Sequence, residues 1–171
     1  MIGAVATRDF VRQREYEHLY SLAKRERVHE VRIVEPMPCG KLARDKDQFL
    51  LTDTDTDALR RFHRDTNRRG KLPKVCAFNQ VESPEVFGCA GGIQHLFIDS
   101  AGTVCPCDFT PMGFGTVTDE PLAVIYDRMS GALGQPRSHC MIQKHHQLLD
   151  EYMGDDYPFG VDTSLEIAAR L

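Results

Sequence analysis

The stretch Phe97-Ile98-Asp99-Ser100-Ala101-Gly102-Thr103-Val104-Cys105-Pro106-Cys107 decides how the cysteine-bearing region of this chain folds. The apolar alternation from Ile93 to Asp99 reads as one strand, Asp99-Ser100-Ala101-Gly102 as a turn, and Thr103-Val104-Cys105 as the return strand. Alternation broken by a glycine-containing turn is the signature of a β-hairpin. Working outward, Gly88-Cys89 precedes the first strand, with twelve residues between Cys89 and Gly102 and four between Gly102 and Cys107. The hairpin is therefore expected to bring Cys89 and Cys107 to neighbouring strand ends. Thiolates delivered in this way suit a tetrahedral metal or an iron–sulfur centre.

The spacing Cys89–Gly102–Cys107 resembles the Cys-x(9–15)-Gly-x(4)-Cys opening of SPASM and twitch domains, the C-terminal cluster modules of many radical S-adenosylmethionine (SAM) enzymes. The phrase Phe97 to Cys107 is similar to the family's Ile-Asp-x-x-Gly-x-Val-x-Pro-Cys hairpin. Phe114-Gly115-Thr116-Val117 resembles its Gly-Asn-Ile step, with Thr116 in place of Asn. Pro121-Leu122-Ala123-Val124-Ile125-Tyr126 resembles its Leu-x-x-Ile-Trp helix, with Tyr126 in place of Trp. A full SPASM domain continues with Cys-x-x-Cys-x(5)-Cys-x(3)-Cys, whereas only Cys140 lies beyond Cys107 here. The resemblance thus implies the shortened form with one auxiliary 4Fe–4S cluster. Cys89, Cys107 and Cys140 are its implied ligands and Cys105 a candidate fourth, or else a buried thiol on the strand. Cys39 and Cys76 lack motif partners and read as packing residues.

Radical SAM enzymes hold their catalytic cluster with Cys-x-x-x-Cys-x-x-Cys. The six cysteines here, 39, 76, 89, 105, 107 and 140, contain no such triplet. No catalytic or SAM-binding residue is assigned, and the chain is expected to be inactive alone, SAM being bound only by the intact enzyme. The expected architecture is α/β: residues 1–70 as the last strands and helices of a radical SAM partial (β/α) barrel, and 71–171 as a small α+β cluster domain with the hairpin. Ile2 to Thr7 reads as a buried strand, 11–26 as a helix with Tyr16, Leu19, Tyr20 and Ala23 at helical spacing, and Val28 to Val34 as a second strand. A second helix, from about 54 to 69, puts Leu59, Phe62 and Thr66 on one face. Met141 to Met153 and Ser164 to Leu171 read as further helices.

A parallel barrel begun at a late strand leaves an unpaired edge. The chain is therefore expected to be a C-terminal fragment, a truncated product or half of a split enzyme. Its expected partners are an N-terminal barrel half, from the same gene or a separate chain, and a peptide or small-molecule substrate. The other readings are a non-enzymatic redox or recruitment module working with a separate barrel protein, and a zinc-stabilised structural domain that uses His139 beside Cys140.

With 171 residues, 42% of them hydrophobic, there is enough apolar material for one ordinary core. A net charge of −4 argues against nonspecific nucleic-acid binding as the main activity. No apolar run approaches a membrane span, and six cysteines with a Cys-x-Cys suit a reducing cytoplasm and a metal centre better than a disulfide scaffold. Asp53, Asp55 and Asp57 mimic a calcium loop, but Ala58 and Arg64 stand where Gly and Glu are required, so a helix N-terminus is the better reading. The arginines at 60, 61, 64, 68 and 69 read as a solvated helix face, and His145-His146 as surface. Gly91-Gly92 is a place where backbone can approach a cluster closely.

Overall fold

The computed structural model describes residues 1–43, 49–154 and 157–171. It divides into two compact units, Met1–Met37 with Arg44–Phe87, and Pro38–Ala43 with Gly88–Leu171.

The first unit follows β1 (Ile2–Val5), α1 (Arg8–Arg12), α2 (Glu15–Arg25), β2 (Glu30–Val34), α3 (Asp53–Arg68), β3 (Lys74–Ala77) and the one-turn α4 (Phe78–Val81). The strands are parallel, in the order β1-β2-β3, with Ile2, Val31 and Val75 in one row and Ala4, Ile33 and Ala77 in another. Every second residue of a strand points to the same face. Val31, Ile33, Val75 and Ala77 thus share a buried core with Tyr16, Ala23 and Leu59, against which Phe62 and Tyr20 pack. The intervening strand residues Gly3, Arg32 and Cys76 occupy the other face, which is only partly covered. Val5 is 60% exposed. β1 is therefore half-buried rather than buried, because helices cover one face of the sheet and β1 is its border strand.

Local chemistry explains the helix ends. The Thr52 side chain accepts from Asp55 N–H while Asp55 Oδ2 accepts from Thr52 N–H, a reciprocal capping box that starts α3. This is what the acidic run at 53–57 does. The arginines of α3 make loose ion pairs, Arg60–Asp57 at 3.9 Å, Arg64–Glu85 at 3.3 Å and Arg68–Asp65 at 4.0 Å. Such exposed pairs are worth little. The helix expected over 11–26 is split after Gln13, where Arg14 adopts φ 58° and starts α2 afresh. Beyond the end of α3 the chain adds β3 to the same sheet. The outer side of β3 has no further strand among the described residues; instead Asn67 and His63, both on α3, bond its backbone.

The second unit contains the hairpin β4 (Phe97–Ile98) and β5 (Val104–Cys105), then α5 (Leu122–Leu133), α6 (Met141–Asp150) and α7 (Val161–Ala168). Phe97 pairs with Cys105 and Ile98 with Val104, antiparallel. Asp99 Oδ1 accepts from the N–H groups of Ala101 and Thr103 at 2.8 and 2.9 Å, and Gly102 takes φ 86°, so the turn closes as Asp and Gly at these positions require. The first strand is shorter than the alternation suggests. Gly92 at φ 79° turns the chain, and Ile93 and Gln94 N–H both bond to the Ala90 carbonyl. Phe114 and Gly115 form a third rung beside Val104. The core gathers Val104, Met112, Phe114, Ile125, Met129 and Ile142, all fully buried. This is an α+β arrangement, as expected for the C-terminal region.

Candidate metal centre

Gly88 sets the entry of Cys89. It has φ 68°, and a Cβ there would fall on the Arg137 carbonyl oxygen. A side chain would therefore push apart the two segments that Gly88 allows to meet. They meet as a bridge in which Cys89 N–H donates to Arg137 O and Arg137 N–H donates to Cys89 O, each at 2.7 Å. Cys140, three residues on, is the N-cap of α6. The bridge thus brings the segments bearing Cys89 and Cys140 alongside each other, which their separation of fifty-one positions in sequence does not suggest.

On the other side of Cys89, Gly91 lies under the thiol. A Cβ built there would stand 3.7 Å from Cys89 Sγ, 3.6 Å from His95 Nε2 and 3.3 Å from the Pro106 carbonyl. Cys107 follows Pro106 and its Sγ lies 3.1 Å from Thr110 Oγ1. Burial raises the Cys107 thiol above its ordinary pKa, although hydrogen bonds from Thr110 and Phe109 act the other way, and the Cys89 charge adds to the rise. Cys89 and Cys107 are therefore electrostatic neighbours, as the hairpin reading expects.

Cys105, in β5, is buried, and its pKa is pushed up to about 12 by burial, with further contributions from Asp99 and Cys107. Cys105 and Cys107 line one cleft of about 170 Å³, with Asp99, Asp108, Thr110 and Tyr157. No disulfide links any of the six cysteines.

The motif overlooks Cys39. The Pro38–Ala43 strip belongs to the cluster-side unit, and a short 3₁₀ turn, Gly40–Ala43, starts there with Leu42 N–H on the Cys39 carbonyl. The Cys39 thiol is raised by burial and then by the charges of Cys107 and Asp108. Burial, then Cys39, raises the Tyr157 phenol, against which a hydrogen bond to the Gly40 backbone works; Cys105 and Cys107 also act on it. The charges of Cys107 and Asp108 thus reach Cys39, a proximity that its lack of a nearby motif partner does not suggest. Cys76 lies in the other unit, on β3, where burial raises its pKa and Arg32 opposes the rise.

The chemistry of the donors, thiols of Cys89, Cys105 and Cys107 on one hairpin and its entry, suits a thiolate-bound iron–sulfur cluster. They are soft sulfur ligands, which such clusters require, and glycines let the backbone run close to them. Among the described residues no group of three or more His, Cys, Asp or Glu side chains is placed to hold a metal ion. No helix among the described residues is long and apolar enough to cross a membrane.

Residues 89–146 match the family model of SPASM, an iron-sulfur cluster-binding domain. The match starts at Cys89 and takes in Cys105, Cys107 and Cys140, so the resemblance read from the motif is borne out for this region. No curated protein and no solved structure matches the chain.

Proposed function

We propose that the second unit binds one auxiliary 4Fe–4S cluster through Cys89, Cys107 and Cys140, with Cys105 at the fourth corner and Cys39 as the competing thiol. The observation that carries this reading is the Cys89–Arg137 bridge, which draws the Cys140 segment towards a hairpin already presenting Cys107. When bound, such a cluster supplies a one-electron redox centre or an iron for substrate to ligate. This chain's own contribution is to fix the thiolates, to bury Cys105 and half-bury Cys107, and to present a small cleft lined by both together with Tyr157, Asp99 and Asp108.

The same reading makes the first unit the closing part of a radical SAM barrel, acting in the cytoplasm with the half that holds the catalytic cluster and SAM. The parallel β-α-β order supports it, as does the asymmetry of the sheet. The β3 edge is closed by side chains, while β1 borders only β2, so a further strand has one edge to join.

Anaerobic reconstitution tests the cluster reading. A brown protein with about four irons and four sulfides per chain is expected. A colourless protein holding one zinc overturns it. Release of 5′-deoxyadenosine only when the chain is paired with a barrel half bearing Cys-x-x-x-Cys-x-x-Cys is the matching test of the enzyme reading.

A further inference from the structure

The rim of the candidate centre holds a cation that the cysteine pattern does not use. Arg137 is tied by its backbone to Cys89 through both 2.7 Å hydrogen bonds, and its Nη2 donates to the Leu133 carbonyl at 3.1 Å. The residue is thus anchored at its backbone and at one guanidinium nitrogen, which limits its freedom to swing away. Among the described residues no carboxylate lies within ion-pair distance of it, although nine other side-chain ion pairs of arginine and one of histidine are formed. Burial works against its charge, and the Cys89 sulfur is the group that favours it. A cleft of about 230 Å³ beside it is lined by Ser138, His139, Lys144, His145 and Leu171. A half-buried cation left without a carboxylate but fastened to a metal-motif cysteine is poised for an anionic group at that cysteine.

We propose that Arg137 is a positioning residue that holds one positive charge at the Cys89 corner of the bound cluster and raises its reduction potential. The inference rests on the cluster reading above. On reduction the cluster takes one electron from the external reductant, no bond forms or breaks, and its net charge becomes one unit more negative. A fixed cation stabilises the more negative state more than the less negative one, and does so more strongly where water is partly excluded. Nearby charge and hydrogen bonding are among the means by which proteins set cluster potentials.

The test is a dye-mediated titration with dithionite, followed by the EPR signal of the reduced cluster, on the full chain, on Arg137→Gln and on Arg137→Lys. Iron and sulfide content are measured on each sample. With full loading, Arg137→Gln is expected to show a roughly tenfold lower ratio of reduced to oxidised cluster at a fixed ambient potential, about 59 mV for a one-electron couple. Arg137→Lys is expected to restore most of the shift, because it keeps the charge. A merely structural role would move iron content or thermal stability and leave the potential where it was. Unchanged potential in Arg137→Gln overturns the proposal, and so does an equal shift in both variants. If Arg137→Gln takes up no iron while Arg137→Lys loads fully at the original potential, Arg137 serves cluster assembly rather than the potential and the proposal is overturned. Failure of both to load assigns Arg137 to packing and overturns it. A parent chain that binds no iron fails the cluster reading instead, before any variant is compared.

Discussion

Asn67 bonds Val75 twice: its Nδ2 donates to the Val75 carbonyl at 2.7 Å, and its Oδ1 accepts from the Val75 N–H at 3.0 Å. A helix side chain thereby does for β3 what a neighbouring strand would do. Asn67→Ala leaves two backbone groups of a core strand unmet and is expected to destabilise the first unit by about 2 kcal/mol. The measurement is urea unfolding by circular dichroism, with the midpoint falling and the slope unchanged. A midpoint equal to the parent's would mean that water satisfies this edge equally well.

Two residues along the same edge, the bond is sensitive to pH. His63 Nδ1 accepts from the Ala77 N–H at 3.1 Å, which requires an unprotonated ring nitrogen. Burial, then the charge of Arg64, holds the His63 pKa below its ordinary 6.5. Between the folded and unfolded values the unfolded chain binds the extra proton, so stability rises with pH in that window. The contribution is fully present above the unfolded value and is lost as pH falls through the folded one. Urea midpoints at pH 7.5 and 5.5 should therefore differ more in the parent than in His63→Gln; equal differences would remove His63 from the account.

Two glycines separate a needed conformation from a tolerated one. Gly88→Ala combines a positive φ with a clash against the Arg137 backbone, and is expected to cost about 2–3 kcal/mol and most of the bound iron. Gly131, inside α5, has open space around its Cβ position. Gly131→Ala is expected to stabilise by about 0.5–1 kcal/mol through helix propensity, with iron unchanged. Thermal melts and iron analysis on both variants check the pair; iron retained in Gly88→Ala would detach the bridge from the centre.

Alanine at Cys89, Cys107 or Cys140 should abolish or strongly reduce iron uptake, because ligation and folding of a metal site are coupled. Cys76→Ala should leave it unchanged. For the fourth corner, Cys105→Ala is expected to lower the iron count. Full iron in Cys105→Ala with loss in Cys39→Ala would hand that corner to Cys39.

The hairpin was legible because its determinants are local. Asp99 and Gly102 make their turn with residues at most four positions away, and Val104 and Cys105 pair with a strand only a few residues upstream. The stripe of Leu59, Phe62 and Thr66 was legible for the same reason, periodicity being a property of one helix. β3 was passed over because Lys74-Val75-Cys76-Ala77 is short and its edge partners sit on α3. Of the candidate site, Cys89 and Cys107 followed from spacing. The neighbourhood of Cys39, the bridge to Arg137 and the seat of His95 did not, since each depends on backbone brought together across turns that no local pattern encodes.

The Pro38–Ala43 strip belongs to a unit whose remaining residues begin only at Gly88. During synthesis at roughly 5–20 residues per second, the strip leaves the ribosome roughly 6–26 seconds before the rest of its unit is complete. For that interval the Cys39 thiol waits without the walls that later enclose it, open to oxidants and to wrong partners. A copy of the second unit cut to begin at Gly88 would lack the strip and Cys39 altogether, so a continuous piece of gene either loses that thiol or carries the first unit's later residues with it.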